Sequence, residues 1–257
     1  MNTSVALGRT ESINGFEIYY EIRGEGEPLI LLHGGGGVGA HWGLIFKDAP
    51  DGYRLIIPDQ RGHGRSTNPS MELSFRQLAL DLFALLDRLG VERFKAIGMS
   101  MGAKTLLHAA TQQPHRLEAM VLVSATPYFP EQARRIMRDV TPENRSDEEW
   151  QQMRQWHKHG DEQIRAIWRQ VNAFKDSYTD LNFTPPYLST VTARTLIVHG
   201  DRDPLYPVNL AFEMYSAIPR SSLWVIPNGG HGPIFGDTAG RFVETALAFL
   251  SEDPTGK

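Results

Sequence analysis

Gly98-Met99-Ser100-Met101-Gly102 constrains this chain more than any other five residues. The apolar run Phe94-Lys95-Ala96-Ile97 precedes it, and a helix-like stretch from Ala103 to Gln113 follows. Strand, Gly-x-Ser-x-Gly and helix, in that order, form a nucleophile elbow. The serine must stand on a very tight turn so that its hydroxyl projects from the edge of a sheet. Glycines two residues to either side remove side chains that would strike neighbouring backbone. The helix that begins after the serine aims its free N–H groups at the reacting centre, where they favour negative charge.

A serine hydroxyl is a poor nucleophile at neutral pH, so it needs a base, and the base needs an orienting acid. Both follow in the order this architecture requires, serine, then acid, then histidine. The apolar run Thr195-Leu196-Ile197-Val198 leads to His199-Gly200-Asp201-Arg202-Asp203-Pro204. The run Leu223-Trp224-Val225-Ile226 leads to Pro227-Asn228-Gly229-Gly230-His231-Gly232. His231 is the expected base. Asp201 and Asp203 compete for the acid. Asp201 fits a turn, where Asp bonds its own backbone. Asp203 precedes a proline, which biases it toward an extended conformation, and it is the favoured acid.

The run Leu29-Ile30-Leu31-Leu32 reads as a buried strand and is followed by His33-Gly34-Gly35-Gly36-Gly37. Backbone N–H groups aimed at a tetrahedral oxyanion stabilise it, each by about 2.7–4 kcal/mol in comparable enzymes. The expected donors are Met101, next after the nucleophile, and Gly35 of the glycine loop. No Gly-Lys-Ser/Thr follows the glycines, so they are not a phosphate-binding P-loop. A dinucleotide reading of Gly34 to Gly39 would leave Ser100, Asp203 and His231 unexplained.

These residues together resemble the α/β-hydrolase superfamily over nearly the whole chain. The resemblance rests on His33 to Gly36, Asp59-Gln60-Arg61-Gly62-His63-Gly64-Arg65-Ser66, Gly98 to Gly102, Gly200 to Pro207, and Gly230 to Gly232. The Arg-Gly-His-Gly-Arg-Ser stretch is similar to the loop after the fourth strand in small esterases, enol-lactonases, perhydrolases and carbon–carbon bond hydrolases. The resemblance implies a mostly parallel sheet flanked by helices. It also implies a carboxylic-ester hydrolase working through an acyl-enzyme. A lactonase, a perhydrolase or a carbon–carbon hydrolase would use the same triad. The dienoate type of the last often carries an aromatic residue after the histidine, where this chain has Gly232. A small-molecule receptor on the same fold is the non-enzymatic alternative, distinguished by slow or single turnover.

Read along the chain, strands alternate with helices, which also points to a parallel α/β sheet. An antiparallel edge pair, 12–14 and 17–22, is expected to turn at Asn14-Gly15. Strands are expected at 29–33, 55–58, 94–98 and 117–124. A helix is expected at 75–89, with Leu78, Leu82, Leu85, Leu86 and Leu89 on one side, ending at Gly90. The last helix, 241–250, should bury Phe242, Ala246 and Phe249. Residues 126–192 break the alternation with charge, Gln, Trp, Met and several prolines. They are expected to form a helical cap inserted into a core of 1–125 and 193–257. A cap over Ser100 would exclude water and shape the pocket. Trp42, Gly36, Tyr128, Phe129, Trp156 and Trp168 are the substrate-binding candidates, with Met137, Met153, Ile164 and Phe174 as further apolar residues of the cap.

The composition fits one catalytic domain. The chain has 257 residues, 41% of them hydrophobic, and no apolar stretch approaches membrane-spanning length. Met1 to Thr10 shows no long apolar core, so no secretory signal is expected. There are no cysteines, which excludes disulfides, thiolate metal sites and a cysteine nucleophile, and suits the cytoplasm. With 26 basic against 30 acidic residues, net −4, neither nucleic acid nor an anionic membrane is the expected partner. The expected partner is a small-molecule ester, and no metal or organic cofactor is expected. His157-Lys158-His159 lacks a third ligand at metal spacing and reads as a solvated cap helix. His63 reads as holding its loop, and Arg61 and Arg65 as structural. His41, His108, His115 and His199 have no constellation around them.

Ser100→Ala should lower hydrolysis by several orders of magnitude and leave the fold intact. A fluorophosphonate probe should label Ser100 alone. Labelling of another serine, or a fully active Ser100→Ala protein, would end the reading of Ser100 as nucleophile.

Overall fold

The computed structural model describes residues 7–252 of the chain. Eight strands make one sheet: β1 Leu7–Ile13, β2 Phe16–Arg23, β3 Glu27–Leu32, β4 Tyr53–Pro58, β5 Phe94–Met99, β6 Leu117–Val123, β7 Arg194–Gly200 and β8 Ser221–Ile226. Their order across the sheet is β1-β2-β4-β3-β5-β6-β7-β8. The β1–β2 and β2–β4 pairs are antiparallel and the rest parallel. This is the α/β-hydrolase fold expected from the motifs.

The β1–β2 hairpin turns where Asn-Gly demanded it. Asn14 and Gly15 both have positive φ, 43° and 76°, the geometry of a two-residue hairpin turn. The paired strands are longer than the short edge pair expected from the sequence, because the register runs from Ile13–Phe16 back to Leu7–Ile22.

The central strands bury both faces, and their alternation divides the core in two. On β3, Ile30 and Leu32 enter one cluster while Leu29 and Leu31 enter the other. Helices α1 Phe75–Arg88 and α2 Met101–Gln112 pack on the first face. Ser74 caps α1 by accepting the Gln77 N–H at 3.1 Å. The chain between β6 and β7 forms four helices, α3 Glu131–Arg138, α4 Asp147–Trp156, α5 Gly160–Ala173 and the short α6 Pro185–Leu188. After β7, α7 Val208–Ala217 joins the first face and α8 Ala239–Ser251 covers the second. Helix α8 buries Phe242, Ala246 and Leu250, leaving the expected Phe249 half-buried. Steps of four residues keep a side chain nearer one stripe than the three-residue step to Phe249 does. No helix among the described residues is long and apolar enough to cross a membrane.

One buried ion pair locks the front of the sheet. Arg61 grips Asp81 of α1 through Nε and Nη2, at 2.7 and 2.8 Å. Asp81 also accepts from Asn14 in the hairpin turn and from Gln77. The Arg61 guanidinium lies 3.8 Å from the Phe16 ring centroid. Three segments distant in sequence thus share one pair, and Arg61 is structural, as expected. Asp81→Ala should lower unfolding free energy by about 3–5 kcal/mol, because it strands a buried guanidinium. The exposed Arg88–Glu11 pair is the control, with an expected loss of at most about 1 kcal/mol. Denaturant unfolding of both variants measures the difference, and equal losses would refute it.

Candidate active site

Ser100 occupies the single residue between β5 and α2, with φ 49° and ψ −103°. That conformation is unusual for a side chain-bearing residue and is held by its surroundings. The Ser100 N–H donates to Val123 of β6 at 2.8 Å. A Cβ on Gly98 would lie 2.6 Å from the Gly102 backbone, and one on Gly102 would lie 2.3 Å from the Leu32 carbonyl oxygen. Both glycines of the motif are therefore steric necessities. The helix begins at Met101, two residues earlier than the sequence pattern indicated, since this turn needs only one residue.

The elbow presents Ser100 Oγ 2.9 Å from His231 Nε2. On the other side of the ring, Nδ1 lies 2.8 Å from Asp203 Oδ2. The carboxylate accepts through Oδ2, so Nδ1 carries the proton and Nε2 is free to take one from serine. Asp203 has a fully buried side chain. Its Oδ1 accepts from the Leu205 and Tyr206 N–H groups at 2.8 and 3.1 Å. Burial pushes the Asp203 carboxyl up, but the His231 bond and charge with these two N–H groups outweigh it and hold the carboxyl below its ordinary value. Asp203 therefore stays ionised at neutral pH. Asp201 is exposed and faces water, so the structure brings Asp203 and not Asp201 to the histidine.

The glycine loop lies beside the serine, with the Cβ position of Gly34 3.6 Å from Ser100 Cβ. The Gly102 N–H donates to His33 O at 3.1 Å, tying the loop to the start of α2. Gln60 N–H donates to His33 Nε2, so Nδ1 carries the proton and donates to the Gly34 carbonyl at 2.8 Å. The Gly37 N–H donates to the same carbonyl at 3.0 Å. A trans peptide points its N–H opposite its C=O. Pinning the Gly34 carbonyl therefore turns the Gly35 N–H the other way. Among the described residues neither the Gly35 nor the Met101 N–H has a hydrogen-bond acceptor, as two oxyanion donors require.

A cavity of about 430 Å³ opens beside this loop. Gly36, Trp42, Trp156 and Trp168 line it with Met99, Met153, His41 and Phe235. Among the described residues, no Lys, Arg, Asp or Glu lines it. A second cavity, about 290 Å³, lies between the loop after β4 and α5, with Met101, His63 and Phe174 on its wall. Tyr128 and Phe129, both expected in the pocket, line neither cavity. Tyr128 turns its hydroxyl to Glu213 of α7 at 3.1 Å. Phe129 packs against Phe75 and Phe174, with ring centroids 6.0 and 5.5 Å away. Met137 and Ile164 are likewise buried in packing.

His157 departs furthest from expectation. It is 3% exposed, not part of a solvated helix face. Its Nδ1 accepts the Gly64 N–H at 2.9 Å, so Nε2 carries the proton and donates to the Gly36 carbonyl at 3.2 Å. The residue after α4 thus joins the glycine loop to the loop after β4. Burial pushes its imidazole down to about 3, which keeps it neutral. His63 holds its own loop as expected, donating from Nδ1 to Arg61 O at 3.0 Å. His199, expected to be isolated, backs the acid: Nε2 donates to the Tyr206 carbonyl at 2.8 Å. Among the described residues, no three His, Asp or Glu side chains gather as metal ligands.

Asp203→Asn should cut turnover roughly 10⁴-fold, because an amide no longer fixes the required histidine tautomer. Asp201→Asn should leave turnover within a few-fold of the parent. The kcat values of the two variants decide, and a larger loss at Asp201 would reverse the assignment.

The family model described as "alpha/beta hydrolase fold" matches residues 27–145. A Synechocystis sp. protein provisionally named a non-heme chloroperoxidase is 28% identical over 88% of this chain and 92% of its own length. The 2-hydroxy-6-oxo-6-phenylhexa-2,4-dienoate hydrolase of Comamonas testosteroni is 27% identical over 94% of each chain. The solved meta-cleavage product hydrolase of Pseudomonas fluorescens IP01 superposes with a TM-score of 0.78 at 21% identity, covering 95% of this chain and 97% of that one. At that identity the likeness is one of fold, and it agrees with the sheet order and the elbow. The chain has the α/β-hydrolase fold, and the family model of that fold matches it from the third strand into the segment after β6.

Proposed function

We propose that this chain is a serine hydrolase of small, uncharged, short-acyl carboxylic esters. The observation that carries the reading is the unbroken chain Ser100 Oγ, His231, Asp203, beside two unpaired N–H groups. Ser100 Oγ attacks the ester carbonyl while its proton passes to His231 Nε2. The Gly35 and Met101 N–H groups receive the oxyanion. Collapse breaks the bond to the alcohol oxygen, which takes the proton from His231. Water then attacks the acyl-enzyme, giving a proton to His231, and the acid departs as Ser100 recovers its own. The segment 126–192 acts as the cap, with Trp156, Trp168 and Met153 closing the cavity over the glycine loop.

The cavity supports the substrate class. Its volume of about 430 Å³ sits low in the range of roughly 300–1,000 Å³ for small-molecule sites. A wall without formal charge suits a neutral ester. The names of the relatives favour a second reading, carbon–carbon cleavage of a dienoate. A dienoate is an anion and calls for a cation in its pocket. Arg61, on the wall of the second cavity, is already spent on Asp81. Peroxide in place of water on the same acyl-enzyme would give perhydrolysis, and a lactone is a cyclic ester open to the same attack.

A panel of nitrophenyl esters from acetyl to palmitoyl, with lactones, a dienoate and a peroxide-dependent halogenation assay, tests this. The kcat/KM should peak between acetyl and hexanoyl, and Trp156→Ala should extend tolerance to longer chains. A peak at lauroyl or beyond, with activation at an oil–water interface, would make the enzyme a lipase. Faster turnover of the dienoate than of any ester would install the second reading.

A further inference from the structure

His157 leaves the end of α4 with its side chain between two loops of the core. Its backbone N–H still donates to the Met153 carbonyl at 2.9 Å, so it rides on the helix that lines the cavity with Met153 and Trp156. The Lys158 N–H donates to the Gly64 carbonyl at 2.9 Å, while the Gly64 N–H donates to His157 Nδ1, also at 2.9 Å. This reciprocal pair seats the ring on the loop after β4. A backbone N–H can only donate, so Nδ1 is the acceptor and the ring proton sits on Nε2. Nε2 then donates to the Gly36 carbonyl at 3.2 Å. A second ring proton would set one N–H against another, and burial also favours the neutral ring.

The Gly36 carbonyl shares its peptide with the Gly37 N–H, which donates to the Gly34 carbonyl at 3.0 Å. That carbonyl in turn shares its peptide with the Gly35 N–H, the expected oxyanion donor. The bond closes a turn over residues 34–37, with Gly36 at φ 71°. On the far side of the ring, the Gly64 N–H shares its peptide with the His63 carbonyl, which accepts from the Ser66 N–H at 2.9 Å. Every bond in the series therefore points one way: Ser66 to His63, Gly64 to His157, His157 to Gly36, Gly37 to Gly34. The last N–H, on Gly35, has no acceptor among the described residues. Each bond polarises the next, so negative charge gains most at the free donor that ends such a series. His33 Nδ1 also donates to the Gly34 carbonyl, at 2.8 Å, but His33 belongs to the core and only His157 comes from the segment between β6 and β7.

We propose that His157 is a positioning residue that couples the cap to the oxyanion hole: its proton holds the Gly36–Gly37 peptide, which acts through the Gly34 carbonyl to aim and polarise the Gly35 N–H. The inference rests on the reading of Ser100 as nucleophile and Gly35 as oxyanion donor. A substrate that fills the cavity packs against Met153 and Trp156, and α4 then keeps His157 seated on Gly36. An α4 lifted from the core withdraws the proton and leaves the Gly36–Gly37 peptide free to turn. The donor is thus at its best when the cavity is occupied. His157 touches neither substrate nor reacting atoms. It acts on the charge of the tetrahedral intermediate, so it bears on kcat more than on KM.

Two substitutions separate the donated proton from the bulk of the ring. His157→Gln keeps an acceptor for Gly64 and a donor for Gly36. His157→Met fills space and offers neither. Hydrolysis of nitrophenyl butyrate by the parent and both variants reads the coupling, with thermal unfolding as the check on folding. His157→Met should lower kcat about tenfold, part of the roughly 10²–10³ that a whole oxyanion donor is worth, with KM within about twofold. His157→Gln should keep kcat within about threefold of the parent, because its amide replaces both bonds. A short-chain trifluoromethyl ketone, isotopically labelled at its carbonyl carbon, adds to Ser100 as a hemiketal and gives a second readout by NMR. Its oxyanion should take a proton about one pH unit higher in His157→Met than in the parent, as a tenfold weaker hole requires. If His157→Met does not fold, the parent decides. Its His157 Nε2–H resonance, identified by its absence from His157→Gln, should move downfield when the hemiketal anion forms.

A folded His157→Met with kcat within about twofold of the parent overturns the coupling. So does a loss confined to KM, a His157→Gln as slow as His157→Met, an unshifted hemiketal titration or a stationary His157 resonance. All of these leave Ser100 as nucleophile. If the parent neither hydrolyses the ester nor is labelled at Ser100 by a fluorophosphonate, the nucleophile reading fails, and the coupling with it.

Discussion

Everything in the site depends on how closely the first turn of α2 approaches the end of β3. The Gly102 N–H donates to the His33 carbonyl, and a Cβ on Gly102 would overlap the Leu32 backbone. That contact leaves no room for a longer turn, so Ser100 alone must reverse the chain and accept a positive φ. The same contact sets the glycine loop beside the serine, because His33 is the loop's first residue. Ser100 and the glycine loop thus share one support, a backbone contact. Pre-organisation of this kind is what electrostatic catalysis requires.

Four buried charged groups are handled in three ways. Arg61 and Asp81 neutralise each other and spend their remaining hydrogen bonds on the hairpin turn and α1. Asp203 keeps its charge through His231 and two backbone N–H groups. Lys104 has only a phenol and three aromatic faces. The first arrangement is rigid and satisfied, and it holds the architecture. The other two meet at Tyr206, which binds Asp203 with its backbone and Lys104 with its hydroxyl.

The insert between β6 and β7 does more than cover the sheet. Through His157 its helix α4 is bonded to Gly36 and Gly64 at once. The cavity wall from α4 and α5 is therefore tied to the glycine loop, and a shift of these helices would be felt at the Gly35 peptide. Trp42, Trp156, Trp168 and Met153 line the cavity beside that loop, and a shared fold does not dictate which side chains stand there.

Local rules made much of this legible in advance. Gly-x-Ser-x-Gly between a strand and a helix, Asn-Gly between two strands, and an acid and a histidine each following an apolar run are short-range patterns with steric or chemical causes. They sufficed for the fold and for the Ser100, His231 and Asp203 constellation, and they pointed to Gly35 and Met101, whose N–H groups have no acceptor among the described residues. Tyr128, Phe129, His157, His199 and Lys104 were not legible in the same way. A histidine at the end of an amphipathic helix reads as solvated until a glycine N–H 93 residues away is placed against it. A lysine one turn past the elbow carries no local sign of burial, which comes only from Phe75, Phe129 and Tyr206 closing around it. Aromatic residues of the insert read as pocket wall until packing against α1 or a hydroxyl bond to α7 turns them away. The sequence by itself determined the strand pattern, the elbow and the chemistry that its residue types can perform. Only the tertiary structure decided which polar groups are buried, which cavity each ring faces and what stands behind the serine, because burial and long-range contact are properties of the packed chain and not of any local stretch.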